Sequence, residues 1–68
     1  MQSYHKLLVG DYVRVLCGPS KNRIYEITSL TFIGVYVRQY SNQYLYQYLD
    51  EVEYVTPEEA MLYKLENA

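Results

Sequence analysis

The chain has 68 residues, half of them hydrophobic, and a formal net charge of −2. A chain this short folds as one domain with a small core, so a single domain over residues 1–68 is expected and a roofed catalytic cleft is excluded. Charged residues make up 21% of the chain, which is typical of a globular domain and not of a disordered tail. Ten tyrosines are the unusual feature, because phenol rings serve both the rim of a small core and contact surfaces.

The charge is divided between the two parts of the chain. Residues 1–48 carry five cations and two carboxylates, a net charge of +3, whereas residues 49–68 carry one lysine and six carboxylates, a net charge of −5. This division predicts a basic face and an acidic face on one small body, which bears on partners more than on fold.

The sequence contains few residues suited to catalysis or metal binding. His5 and Cys17 are the only histidine and the only cysteine, and they cannot supply a four-ligand zinc cage. A lone cysteine also excludes an intramolecular disulfide, which favours the reducing cytoplasm. The apolar run Leu7–Val9 is too short for a signal-peptide core or a membrane span. We therefore expect a cytoplasmic, non-catalytic protein without cofactor, metal or membrane association.

The first two strands follow from the apolar pattern. Alternation predicts a strand over Tyr12–Leu16, in which Val13 and Val15 face the core. A second strand runs from about residue 23 to residue 30. Its core candidates recur every three residues instead of every two: they are Ile24, Ile27 and Leu30. A bulge or a strong bend is therefore expected to bring these side chains to one inner face.

Three further strands complete the predicted sheet. The third, over Thr31–Tyr40, places Ile33, Val35 and Val37 on one side, and the two valines are expected in the core. A polar break at residues 41–43 predicts a hairpin turn, and a fourth strand follows through Leu49. A short apolar segment at residues 52–55 closes the sheet. The pattern predicts a mainly β fold, a small barrel of about five antiparallel strands.

The register of the third and fourth strands decides whether a row of tyrosines is core or surface, because a slip of one residue exchanges the two faces. This tyrosine row consists of Tyr44, Tyr46 and Tyr48. With a two-residue turn, Val35 and Val37 lie opposite Tyr48 and Tyr46, and the rings close the core. With a three-residue loop the row lies outside, and Gln47 faces inward opposite Val37. Burying Gln47 without a hydrogen-bond partner costs about 1 to 3 kcal/mol, which favours the two-residue turn and buried rings.

A helix is predicted after the last strand. Thr56 can accept a hydrogen bond from the backbone amide of Glu59, and Pro57 suits the first helical position. The helix ends near Leu65 and is too short to be stable alone. Its larger apolar residues are therefore expected to pack on the sheet: Met61, Leu62 and Leu65.

A family resemblance lies in the first part of the chain. A Gly-Asp-x-Val-x-Val segment at residues 10–15 leads into a Gly-x-x-Lys loop at residues 18–21 and a strand with Ile24 and Ile27. This opening, roughly a third of the chain, resembles a KOW-type SH3-like barrel, with Asn22 where that family usually has glycine. The resemblance implies an SH3-like barrel that binds RNA, ribosomal partners or the transcription machinery. Residues 49–59 are similar to the ends of small uncharacterised bacterial and phage proteins of this shape, which implies no activity.

A basic and aromatic set is the first candidate site. It comprises Arg14, Lys21, Arg23 and Arg38 with the neighbouring Tyr12, Tyr36 and Tyr40. Phosphates bind lysine and arginine while unstacked bases stack on aromatic rings, so this set predicts binding of RNA or DNA. The alternative interpretation is that four cations keep a small barrel soluble.

A tyrosine and acidic set is the second candidate site. It comprises Tyr44, Tyr46, Asp50, Glu51 and Glu53. Tyrosine is enriched in protein interfaces, and a strip of carboxylates can meet a basic partner or imitate a phosphate backbone. The sequence thus predicts a small binding or adaptor module, for nucleic acid or a nucleoprotein complex. The alternative is a protein-interaction or regulatory module, of phage or mobile-element origin in one version and a homodimer in another.

Overall fold

The computed structural model describes residues 6–40 and 42–67. The elements in chain order are β1 (Tyr12–Val15), β2 (Ile24–Leu30), β3 (Gly34–Tyr40), β4 (Gln43–Tyr48), a 3₁₀ turn (Leu49–Glu51), β5 (Val52–Val55) and α1 (Pro57–Glu66). The strands form one antiparallel sheet in the order β4-β3-β2-β1-β5, so the mainly β prediction is confirmed. Within the described residues β4 and β5 are the two edges, and the sheet stays open.

Strand β1 supplies side chains to both faces of the sheet. Val13 and Val15 are completely buried on the inner face, as their alternation predicted. Their neighbours Tyr12 and Arg14 point to the opposite, outer face, since successive side chains of a strand alternate. The inner face holds the larger apolar cluster: Val13, Ile27, Val35, Val37 and Val52, with Leu7, Tyr25 and Leu45 packed against it.

Helix α1 covers part of the outer face. Beneath it lies a second apolar cluster of Ile24, Val55 and Ala60, with Tyr12 and Tyr63 packed against it. The N-terminal cap is formed as predicted: the Thr56 hydroxyl accepts from the backbone N–H of Glu59 at 3.2 Å. Ala60 is 1% exposed, so the small side chain lets the helix approach the sheet closely.

The prediction that the larger apolar residues of α1 pack on the sheet is wrong. Met61, Leu62 and Leu65 are 64%, 59% and 71% exposed. The helix instead turns Ala60 and Tyr63, three positions apart, toward the sheet. Glu59 and Lys64 flank this side and bond to Arg14 and Tyr12 of β1, which fixes the rotation of the helix.

A bulge in β2 is confirmed, but it does not bring the three core candidates to one face. The register shifts between Ile27 and Ser29. Ile24 lies before the bulge and belongs to the outer cluster under α1, whereas Ile27 belongs to the inner cluster. Beyond the bulge Leu30 pairs with the buried Val35, so it shares the inner face with Ile27, although it is 38% exposed. The spacing of three therefore has two causes: Ile24 packs on the outer face, and the bulge returns Leu30 to the inner face.

The favoured register of β3 and β4 is wrong because β3 contains a bulge. Tyr40 pairs with Gln43, which leaves the predicted two residues between the strands. The register then shifts between Arg38 and Tyr40, so that Gln39 is an extra residue in β3. As a result Val37 faces Leu45 and Val35 faces Gln47, both valines being fully buried as expected. Gln47 faces inward but is only half-buried at the sheet edge, so the penalty expected for burying its amide is reduced.

The tyrosine row therefore lies on the outer face. Tyr44 and Tyr48 are 52% and 50% exposed, and Tyr46 is half-buried between them. The Tyr46 ring lies over Gly34, where an added Cβ would approach its Cζ to 2.5 Å. Its hydroxyl is 3.0 Å from the hydroxyl of Thr31. Tyr36 packs edge-on against Tyr46 at 4.9 Å between ring centres, which orders these rings on the surface.

Candidate functional site

The loop between β1 and β2 presents two cations at the rim of the outer face. Backbone hydrogen bonds from Lys21 to Gly18 and from Arg23 to Ser20, at 3.1 and 3.0 Å, make the loop compact. Gly18 and Asn22 have φ of 86° and 72°, in the left-handed region. Asparagine tolerates this region better than most residues, so Asn22 can hold the conformation that glycine would adopt.

These cations line a groove that we call the basic groove. It lies between the β1–β2 loop, the outer face of β2 and β3, and the last turns of α1, with a volume of about 860 Å³. Its charged and aromatic lining consists of Lys21, Arg23, Arg38, Lys64, Glu26, Tyr12 and Tyr63, and it is bordered by Tyr25, which packs against the inner cluster. Four of these residues are cationic and one is acidic, so the groove is positive although the chain is negative overall.

Strand register positions the middle of the groove. Arg38 of β3 pairs with Glu26 of β2 on one side and with Tyr44 of β4 on the other. Arg38 is therefore the residue at which the basic groove meets the tyrosine row. Side chains of both Arg38 and Glu26 are exposed, so an anionic ligand in the groove would meet a surface open to solvent.

Lys64 is a member of the groove that the sequence analysis did not select. Its ammonium donates to the Tyr12 hydroxyl at 2.7 Å and lies 4.7 Å from the centre of that ring. The hydrogen bond to Tyr12 raises the pKa of Lys64. The signal was the helical spacing of Ala60, Tyr63, Lys64 and Asn67, which places Lys64 beside the face that meets the sheet.

Arg14 does not line the groove. Its guanidinium binds two carboxylates, Glu53 on β5 at 2.5 Å and Glu59 on α1. The hydrogen bonds to Glu59 and Glu53 raise the pKa of Arg14. Arg14 thus joins β1 to the helix and the edge strand. Of the four predicted cations, the basic groove brings together only Lys21, Arg23 and Arg38.

The remaining aromatic members of the predicted sites lie elsewhere. Tyr36 is 42% exposed and lies beside the tyrosine row, outside the groove lining. Tyr40 ends β3, and its side chain falls outside the described part of the chain. Tyr44 and Tyr46 belong to the tyrosine row described above. The basic and aromatic residues therefore form two adjoining surfaces, with Arg38 between them.

The predicted acidic residues are mostly engaged within the fold. Glu53 binds Arg14, and the Glu51 carboxylate accepts from the backbone N–H of Tyr48 at 3.1 Å, where it caps the 3₁₀ turn. Asp50 is exposed in the same turn. Two of these three carboxylates thus have structural roles, which leaves less charge for a phosphate-imitating surface.

The chemistry of Cys17 and of the remaining surface adds little to a catalytic interpretation. Desolvation and then the neighbouring Glu51 carboxylate raise the pKa of the exposed Cys17 thiol, so the reactive thiolate is disfavoured. His5 lies outside the described residues. Within residues 6–40 and 42–67, no three His, Cys, Asp or Glu side chains lie close enough together to hold a metal ion. Helix α1 is too short and too polar to cross a bilayer.

The fold and the groove define a small antiparallel β-sheet protein with one covering helix and a positive surface groove. No protein-family model matches the chain, and neither does any curated protein.

Proposed function

We propose that this protein is a small non-catalytic binding module of the cytoplasm whose basic groove holds a strand of nucleic acid. The convergence of four cations with a single carboxylate on one open groove carries the proposal. Lysine and arginine bind phosphates by releasing condensed counterions, and this attraction acts locally even on a protein of net negative charge.

The tyrosines of the groove favour a single strand over a duplex. Tyr12 and Tyr63 line the groove beside Lys64, and rings near cations suit unpaired bases that stack while phosphates contact the charges. Tyr36 and the tyrosine row continue this aromatic surface beyond Arg38. A duplex would bring phosphates to the cations but would keep its bases stacked within the helix.

We also propose that the chain is a KOW-type SH3-like domain. The loop after β1 supports this relationship, because Asn22 adopts the left-handed conformation available to the usual glycine. The single unbridged Cys17 supports a reducing compartment. Both statements agree with a cytoplasmic nucleic-acid or nucleoprotein partner.

Titration with a short single-stranded oligonucleotide tests the proposed function. Isotope-labelled protein is titrated at about 50 mM and then about 200 mM salt, and amide shifts are followed by NMR. We expect shifts clustered on Lys21, Arg23, Arg38 and Lys64 that weaken steeply with salt. Absence of shifts at the lower salt concentration contradicts the proposal.

Charge-matched variants separate the groove from general attraction. Lys21→Ala and Arg38→Ala are each expected to weaken binding several-fold and to reduce the salt slope by about 0.7 for each phosphate that the variant no longer neutralises. Lys6→Ala removes the same charge from an exposed position outside the groove lining and serves as control. Equal weakening in all three variants would show that net charge, and not the groove, determines binding.

The exposed tyrosines favour a second candidate function, protein interaction. Tyr36, Tyr44 and Tyr48 are between 42% and 52% exposed. Tyr36 and Tyr48 pack edge-on against Tyr46, and Tyr44 lies on the same face of β4. Ordered tyrosines provide large contact area at low conformational cost. This candidate predicts that the NMR spectrum is indifferent to nucleic acid, and that Tyr44→Ala abolishes capture of a protein partner whereas Lys21→Ala retains it.

A further inference from the structure

The two edges of the sheet differ in their protection. Strand β5 is four residues long, carries Glu53 and leads directly into α1. Strand β4 is six residues long, with the sequence QYLYQY, and contains no charge and no proline. Edge strands in soluble proteins are usually shortened, charged, interrupted by proline or covered, since an exposed edge offers unpaired backbone groups to another strand. The described residues provide β4 with none of these protections.

The sequence of β4 is close to self-complementary in the antiparallel direction. With Tyr46 placed opposite itself, Tyr44 of one copy meets the partner's Tyr48, and Leu45 meets the partner's Gln47. Every tyrosine then faces a tyrosine, and no two like charges are opposed. An interface with a two-fold axis requires this kind of pattern, because the same patch contributes both halves.

The outer face of β4 carries packed aromatic rings that favour such a contact. The rings of Tyr46 and Tyr48 pack edge-on at 5.6 Å between centres, and Tyr36 supports Tyr46 from the other side. These rings are already ordered, so association costs little side-chain entropy. Tyr44 and Tyr48 are each half exposed, and cross-strand aromatic neighbours would cover them.

Helix α1 leaves this edge open. It contacts Tyr12 and Arg14 of β1, at the opposite side of the sheet from β4. We propose that β4 pairs antiparallel with β4 of a second copy of this chain, across a two-fold axis at Tyr46. The dimer has one continuous sheet, and its two tyrosine rows merge into a single aromatic face with Arg38 of each copy at its ends. The basic groove and this edge are distinct surfaces, so the proposal is independent of nucleic-acid binding.

Sedimentation equilibrium of the full chain tests the association. We expect the mass to rise with protein concentration from the 8.1 kDa of one chain towards twice that value. Gln43→Lys places a charge on the edge at an exposed position and is expected to weaken association at least about tenfold. Lys21→Ala, in the basic groove, is the control and is expected to associate as the unmodified protein does.

Paired charge variants test the orientation of the two strands. Tyr44→Lys with Tyr48→Glu in one chain is expected to dimerise, because lysine then meets the partner's glutamate at both positions of the antiparallel register, whereas parallel strands would oppose like charges. Tyr44→Lys with Tyr48→Lys is the matched control and is expected to be monomeric, because like charges meet across the axis. Circular dichroism checks that each variant is folded.

Three results would overturn the proposal. The first is an unmodified chain that stays at the mass of one copy up to millimolar concentration. The second is a dimer that Gln43→Lys leaves unchanged, which would place the interface elsewhere, for example on the exposed side of α1. The third is binding of β4 only to an extended segment of another protein, with no self-association.

Discussion

Asn22 illustrates how one residue type preserves a loop that positions two cations. Its φ of 72° lies in the left-handed region, and its backbone N–H donates to the Val15 carbonyl at 2.7 Å. This region costs most residues with a Cβ about 1 to 2 kcal/mol, and it costs β-branched residues more.

Two substitutions at this position are expected to differ in their effect. Asn22→Gly should stay within about 1 kcal/mol of the unmodified protein, because glycine adopts the same conformation without steric cost. Asn22→Val should lower the free energy of unfolding by about 2 kcal/mol or more. Urea denaturation measures both values, and a valine variant as stable as the glycine variant would show that the loop relaxes to another conformation.

The orientation of α1 against the sheet depends on one small residue, Ala60. Ala60 contacts Val55 and Ile24, while the longer apolar side chains face away from the sheet. The apolar residues of α1 lie on different sides of the helix, so they cannot all face the sheet. Because α1 lies close to the sheet, the small Ala60 fits between them and the longer apolar side chains point to solvent.

Helix substitutions test this orientation. Met61→Gln and Leu65→Gln are expected to change the free energy of unfolding by less than about 0.5 kcal/mol, as is usual for exposed positions. Ala60→Leu is expected to destabilise by about 1 to 3 kcal/mol, because the added methylenes have no space under the helix. Thermal denaturation followed by circular dichroism measures the three variants, and a large destabilisation in Leu65→Gln would contradict the orientation.

Most strand and helix boundaries were predictable because they follow from local patterns, although β3 begins at Gly34 and not at the predicted Thr31. Val13 and Val15 alternate with polar neighbours, and Thr56 with Pro57 marks the helix start, so both elements appear as expected. The register of β4 was not predictable, because the bulge at Gln39 has no signature in its side chain. Three groove cations were found by charge alone, and Lys64 was missed because it is isolated within an acidic segment.

At the scale of the molecule, β1 connects two apolar clusters. Val13 packs in the inner cluster, while the adjacent residue Tyr12 packs beneath α1. Neither cluster is large, and a domain of this size is only marginally stable. Disruption of either cluster is therefore expected to affect the whole sheet.

We expect the protein to unfold in one cooperative transition. Val13→Ala in the inner cluster and Val55→Ala in the outer cluster should each lower the free energy of unfolding by about 2 kcal/mol, without separating the transition into two. Far-ultraviolet circular dichroism and tyrosine fluorescence should give coincident curves. A Val55→Ala variant whose helix melts before its sheet would show that the two clusters are independent.

The extra residue in β3 has an evolutionary consequence. Gln39 alone offsets the pairing of β3 with β4 by one position. Its deletion would leave Tyr40 opposite Gln43 and Arg38 opposite Tyr44 in regular pairing, so the tyrosines would stay outside. A bulge beside a turn thus lets a strand gain or lose one residue without exchanging its two faces. In a lineage of such domains, the length of this hairpin can therefore vary while its exposed surface is retained.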